Sequence, residues 1–268
     1  MSQVAVLYCD SKGPYPHIAH KDKDTAGAFR FVDCWDITRD ARKYDGPHPV
    51  ICHPPCKHWG RLRHLASVRC ASEIGDCTWS GRRCDLGGDW DGDFSRCPEC
   101  ASSAIDWNDR DCAPRAVEQV REHGGVLEHP AGSKLWAACH LPLPGNHGND
   151  ATHGYTIEID QCSWGHVARK TTWLYLVDVP RTALEAPPFP GREPTHWVSG
   201  GRGREGKKAK TTPAPPGIKV CSAQQRRRTP PLLAEYLVRL ARAASALRTS
   251  TPTPPATLRD AAGRERNG

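Results

Sequence analysis

Pro49-Val50-Ile51-Cys52-His53-Pro54-Pro55-Cys56 is an apolar run that stops at two prolines and a thiol. Val50 and Ile51 are β-branched and suit a short buried strand, whereas Pro54 and Pro55 carry no N–H for a ladder and must end it. Cys56 is thereby fixed on a stiff loop at the strand's carboxyl end. Open α/β sheets collect ligands outside these ends, so the thiol is placed to act as a nucleophile; the alternative is a small buried hydrophobe in a turn.

The flanking segments supply the rest of such a sheet. Val4–Tyr8 reads as a first strand, with turn chemistry in Asp10-Ser11-Lys12-Gly13-Pro14-Tyr15-Pro16 directly after it. Ala113–His123 has helical spacing, with Pro114 in the first turn and Gly124-Gly125 closing it. Val126-Leu127 then begins a strand ending in Glu128-His129-Pro130. Tyr155–Ile159 and Thr172–Val177 alternate as strands, and Gln161–Lys170 lies on a hairpin-like connection between them. Leu233, Tyr236, Leu237 and Leu240 form the apolar face of a helix that docks on the domain. Strands alternating with helices predict an α/β fold with a Rossmann-like, doubly wound sheet. Residues 1–66 and 112–186 form its two parts, 67–111 a Cys-rich insertion, 187–221 a basic Pro/Gly-rich recognition region, 222–248 a closing helix and 249–268 a disordered tail.

The chain of 268 residues has 37 Lys and Arg against 30 Asp and Glu, a net charge of +7. Arg202-Gly203-Arg204-Glu205-Gly206-Lys207-Lys208-Ala209-Lys210 and Arg226-Arg227-Arg228 concentrate the excess towards the C-terminal part and favour a polyanionic partner, DNA. There is no leading basic-then-apolar signal and no apolar run of roughly 18 residues, which predicts a cytoplasmic protein without a membrane partner. An odd count of 13 Cys argues against a closed disulfide framework. The insertion holds Cys70, Cys77, Cys84, Cys97 and Cys100 with hardly an apolar run between them. Cys97-Pro98-Glu99-Cys100 is a C-x2-C knuckle that Cys77 and Cys84 complete as a four-thiolate structural zinc site, with Cys70 an alternative upstream ligand.

Pro54-Pro55-Cys56, Glu128-His129-Pro130, and Gly165 followed by Arg169-Lys170-Thr171-Thr172-Trp173-Leu174-Tyr175 come in an order that resembles the nucleophile, acidic and arginine motifs of the cytosine-C5 DNA methyltransferases. The likeness is closer to the small methylase-like proteins of bacteriophages and prophages. Arg228-Thr229-Pro230-Pro231-Leu232-Leu233-Ala234-Glu235 resembles the family's closing motif, whose helix packs back beside the first strand. The resemblance covers roughly residues 4–66 and 112–240. It implies a methyltransferase-type sheet, S-adenosylmethionine as cofactor and a location in the host cytoplasm. It also implies Cys56 as the nucleophile on C6, Glu128 paired with N3, and Arg169 on the pyrimidine carbonyl or a neighbouring phosphate. Asp10, Gly13, Asp36 and Pro54 are the cofactor candidates; Pro55, Arg61, Arg63, Lys170, Arg226 and Arg227 are the substrate candidates.

The residue types suit the chemistry. Cytosine C5 is a poor nucleophile, so a thiolate adds to C6, an acid near N3 takes up the developing charge, and C5 then attacks an electrophilic methyl group. The first loop departs from the family's Gly-rich turn, the acidic motif has His129-Pro130 where the family has Asn-Val, and the recognition region is short. Two other readings follow: a base-hypermodifying or pyrimidine-nucleotide-modifying enzyme that keeps Cys56 but changes the donor, and a non-catalytic, zinc-stabilised DNA-binding protein on a methylase-derived fold. Metal analysis of the purified protein is expected to give about one equivalent of zinc per chain; a fully folded, metal-free sample would remove the zinc assignment.

Overall fold

The computed structural model describes residues 3–10, 12–21, 32–36, 38–56, 58–60, 108–146, 148–198 and 214–250. The stretch 61–107, with its five Cys and the substrate candidates Arg61 and Arg63, lies outside the described residues, as do 199–213 and 251–268.

Six strands form one sheet: β1 (Val4–Leu7), β2 (Val32–Trp35), β3 (Val50–Cys52), β4 (Gly125–Pro130), β5 (Tyr155–Asp160) and β6 (Thr171–Val177). Their order is β2-β1-β3-β4-β6-β5. β2, β1, β3 and β4 run parallel, and β6 is antiparallel to both β4 and β5. The expected α/β architecture with a mostly parallel central sheet is therefore present. Burial of every residue in β1 and β3 explains their unbroken apolar sequences, since a strand covered on both faces has no polar side. Strand order reverses between β1 and β3, so the loops leaving their carboxyl ends flank a crevice.

Alternation along the strands feeds two cores. Val4, Val6, Ile51, Val126, Leu174 and Leu176 face α1 (Tyr15–Lys21) and the long C-terminal helix. Ala5, Leu7, Val50, Cys52, Leu127 and Tyr175 face α2 (Asn108–His123) and the short α3 (Leu135–Ala138). In α2, Ala113, Ala116, Val117 and Val120 are buried at the i, i+3, i+4, i+7 spacing of a docked helix. This helix starts at Asn108, earlier than the sequence suggests, so Pro114 sits inside it instead of in its first turn. Pro114 has no N–H to give the Arg110 carbonyl, so the first turns of α2 go without that bond.

Gly125 sets the β3–β4 pairing. Its φ is +116°, and a Cβ there would lie 2.1 Å from the Val50 carbonyl oxygen, so only glycine allows the two strands this approach. Beyond the sheet, β7 (His196–Trp197) and β8 (Lys219–Val220) pair in parallel at the two ends of the basic Pro/Gly-rich region. α4 (Ala223–Arg227) follows, opened by a capping box in which Ser222 Oγ accepts from Gln225 N (3.1 Å) and Gln225 Oε1 from Ser222 N (2.8 Å). α5 (Pro231–Ser250) is the closing helix, and it continues to Ser250, past the expected boundary at 248. Its Leu233, Tyr236, Leu237, Leu240 and Ala244 are fully or almost fully buried, and Tyr236 stacks on Trp164 with ring centroids 4.3 Å apart. The helix packs on β4, β3 and β1 and beside α1. Among the described residues, no helix is long and apolar enough to cross a membrane.

Leu237→Ala is expected to destabilise the fold by about 2–5 kcal/mol, because it empties a fully buried position between α5 and the sheet. Urea unfolding measures it; a loss below about 1 kcal/mol would mean that the helix does not form this interface.

Candidate functional site

Glu128 lies in β4 opposite Leu174 of β6, on the sheet face that carries α1 and α5. It is 8% exposed, so its charge must be met by protein groups. His53 Nδ1 is 3.1 Å from Glu128 Oε2, and Gln161 Nε2 donates to Glu128 Oε1 at 2.7 Å. The same Gln161 amide donates to Thr172 Oγ1 at 2.9 Å, and that hydroxyl donates to the Lys170 carbonyl at 3.1 Å. Burial by itself pushes the Glu128 carboxyl up. The Lys170 charge and the His53 hydrogen bond outweigh it and hold the group down at about 2, so Glu128 is a carboxylate near neutral pH.

Local geometry brings these partners in. His53 leaves β3 two residues after Ile51 and so emerges on the same face as Glu128. Tyr15, buried at the start of α1, places its hydroxyl 2.6 Å from His53 Nε2. Gln161 opens a 3-10 turn (Gln161–Trp164) capped by Asp160, whose Oδ1 accepts from Cys162 N and Lys170 N, each at 3.0 Å. Asp160 thus closes the β5–β6 connection and delivers Gln161 and Lys170 to the end of the sheet together.

Cys56 is exposed, one loop away. Its carbonyl accepts from Trp59 N (3.2 Å) and Gly60 N (2.7 Å), which turns the chain back immediately after the thiol. Pro54 is buried and Pro55 half-buried before it. The surrounding protein desolvates the thiol and raises its pKa, and Glu128 raises it further; Lys170 and Arg227 act in the opposite sense. Glu128, Lys170 and Arg227 thus each act on the Cys56 thiol. Arg227 reaches the site because α4 is tied to the β5–β6 connection: His166 Nε2 lies 2.9 Å from the Gln225 carbonyl oxygen. Arg226 acts instead on the thiol of Cys221.

Arg169, expected on the pyrimidine carbonyl or a neighbouring phosphate, is turned to the surface, where only the phosphate role stays open to it. Its side chain is 60% exposed and pairs with Glu193 (3.4 Å) and Asp160 (3.8 Å). Residue parity explains the exchange. Lys170, Thr172 and Leu174 share one face of the extended β6 segment with Glu128, and Arg169 belongs to the other. Lys170 is the cation that the fold gives to this site.

Of the cofactor candidates, Pro54 is in the Cys56 loop, Asp10 and Gly13 follow β1 and Asp36 follows β2. The Asp10 carboxylate accepts from Lys12 N (2.9 Å) and its carbonyl from Gly13 N (2.8 Å), closing a tight turn after β1. A Cβ on Gly13 would meet the Asp10 carbonyl oxygen at 2.9 Å, which makes this position a glycine's. A cavity of about 350 Å³ opens beside the turn, walled by Lys12, Gly13, His17, Arg228, Pro231 and Glu235. Lys12 and Arg228 bring cations to its wall and Glu235 an anion. Asp36, just after β2, is exposed and accepts from Thr38 N (2.9 Å) and Thr38 Oγ1 (2.6 Å).

The four zinc candidates Cys77, Cys84, Cys97 and Cys100 lie outside the described residues. Among the described residues, one group places three metal-ligand types within 4.8 Å of one another, Asp45, Glu122 and His123, which precede β3 and β4, whereas Cys56 follows the carboxyl end of β3. His53, Tyr15 and Gln161 were not singled out from the sequence. The signal for His53 was its place inside the nucleophile loop with the parity of Ile51; Tyr15 and Gln161 carry none that is local. No family profile, curated protein or solved structure matches this chain.

Acid should destabilise the protein in two separable windows. Burial depresses fully buried His129 from 6.5 to about 4, so the unfolded chain takes up that proton first and stability falls as pH drops between those values. Glu128, depressed from 4.5 to about 2, adds a second loss between those lower values. Each is worth on the order of 3 kcal/mol. Unfolding free energy against pH measures both; His129→Gln should remove the upper window and Glu128→Gln the lower, and curves parallel to wild type would contradict the burial assigned here.

Proposed function

We propose that the chain is a DNA pyrimidine-C5 modifying enzyme, and specifically an S-adenosylmethionine-dependent cytosine-5 methyltransferase. The observation that carries this reading is the convergence of an exposed thiol, Cys56, with a buried carboxylate, Glu128, and two cations, Lys170 and Arg227, at the carboxyl ends of the adjacent parallel strands β3 and β4. A mostly parallel sheet with the site at its strand ends is compatible with a methyltransferase-type fold.

In this reading the Cys56 thiolate adds to C6 of the base. At rest, burial and the Glu128 charge keep the thiol protonated, while Lys170 and Arg227 favour the thiolate. A base that donates its exocyclic amino hydrogen to Glu128 spreads that negative charge over the new hydrogen bond, weakens its effect on the thiol and so activates the nucleophile as the substrate docks. Each Glu128 oxygen accepts one hydrogen bond from the protein, His53 on one and Gln161 on the other, and retains a lone pair for the base. Arg227 and Arg226, on the exposed α4, lie where they can meet phosphates. A duplex target must leave the stack, which costs a few kcal/mol that such contacts offset.

The cavity beside Gly13 fits the amino-acid end of S-adenosylmethionine, with Lys12 and Arg228 towards its carboxylate and Glu235 towards its ammonium group. Asp36 is the residue for the ribose hydroxyls. When bound, that cofactor would supply the electrophilic methyl group.

DNA from cells expressing the protein is expected to contain 5-methylcytosine by nucleoside mass spectrometry, and Cys56→Ser to return it to background. A different modified pyrimidine that still depends on Cys56 would favour the alternative donor; unmodified DNA from cells holding folded protein would sink the enzyme reading.

A further inference from the structure

Glu128 is an acceptor at neutral pH, yet the addition of a thiolate to C6 requires a proton at N3. We propose that His53, oriented by Tyr15, is the positioning residue that stores this proton and passes it through Glu128 to the base. The inference rests on the pyrimidine-C5 reading of the same site and adds two residues to it.

The geometry supports a continuous path. Tyr15 Oη lies 2.6 Å from His53 Nε2, His53 Nδ1 lies 3.1 Å from Glu128 Oε2, and Gln161 fixes the other carboxylate oxygen at 2.7 Å. The carboxylate therefore cannot swing between partners. His53 is held by two different elements, α1 through Tyr15 and β4 through Glu128, and its side chain is 11% exposed. The Tyr15 hydroxyl serves either form of the ring, accepting from Nε2–H or donating to a bare Nε2. An imidazole can carry a proton on either ring nitrogen and release it from one while the other stays bonded, which suits a proton held in reserve. The ionisable groups around the relay are Lys170, Cys56 and His129 near Glu128, and Cys9 and Cys34 near Tyr15.

The step balances as follows. A sulfur electron pair of the Cys56 thiolate forms the S–C6 bond, the C5=C6 pair shifts to C4–C5, and the C4=N3 pair moves onto N3. His53 Nδ1 gives its proton to Glu128 Oε2, and the carboxyl so formed gives it to N3. His53 changes from imidazolium to neutral imidazole and keeps its Nε2–H on Tyr15. When C5 later loses its hydrogen to solvent and the S–C6 pair returns to sulfur, N3 gives its proton back through Glu128 to His53, which completes the cycle.

The test is the pH profile of single-turnover methyl transfer from labelled S-adenosylmethionine to unmethylated genomic DNA, using the full chain. Wild type should lose rate on the alkaline side as an imidazole deprotonates. His53→Gln keeps an N–H donor for Glu128 but stores no proton, so the rate should fall roughly 10²-fold and that alkaline limb should vanish. Tyr15→Phe, a milder change, should keep the limb and move it. A constant loss at every pH in both variants, with the limb unmoved, assigns His53 a merely structural role and overturns the proposal alone. Wild-type protein that binds DNA and cofactor but transfers no methyl group overturns the pyrimidine-C5 reading and this inference with it.

Discussion

A carboxylate buried at the end of β4 constrains everything built around it. Leaving Glu128 unpaired in this setting would cost several kcal/mol, so the fold must bring donors and a cation to it from elsewhere in the chain. It does so from three directions. His53 comes from the loop after β3, Gln161 from the turn after β5, and Lys170 from the approach to β6. Satisfying one charge thus fixes the relative positions of the Cys56 loop and the β5–β6 connection, which are more than a hundred residues apart.

The sheet makes that convergence possible. Its order reverses between β1 and β3, which opens a crevice where the first loop and the nucleophile loop face each other. The close approach at Gly125 brings β4 alongside β3, and with it Glu128 alongside the loop that carries His53 and Cys56. The antiparallel β6 then returns the chain to the same end, so that a hairpin connection supplies the cation. On the far side of the crevice, α5 packs next to α1 and presents Glu235, with Arg228 from the end of α4, beside the turn at Gly13. Thiol, carboxylate and cations come from separate parts of the chain, and Glu128, Lys170 and Arg227 all act on Cys56.

Much of this was legible in sequence because it depends on local physics. Two prolines end β3 whatever surrounds it, and the apolar periodicities of α2 and α5 follow from the faces they bury. The boundaries were less legible. α2 begins before Pro114 and α5 runs to Ser250, since helix ends depend on what they pack against as much as on their own residues. The exchange of Arg169 for Lys170 has the same origin at a finer scale: neighbouring residues in an extended segment face opposite ways, and only the β4–β6 register decides which of them meets Glu128. Tyr15 and Gln161 were invisible for a related reason. Each is an ordinary residue whose role consists of one hydrogen bond to a partner distant in sequence, and composition and spacing carry no trace of such a bond.

The central claim is that Cys56 and Glu128 act on one pyrimidine. Intact-protein mass spectrometry after incubation with S-adenosylmethionine and DNA containing 5-fluorocytosine tests it most directly, because fluorine at C5 blocks release of the thioether. A covalent nucleotide adduct mapped to Cys56, formed by wild type and lost or strongly slowed in Glu128→Gln, is the predicted result. Folded protein with cofactor bound and no adduct at Cys56, or an adduct indifferent to Glu128, would contradict the account.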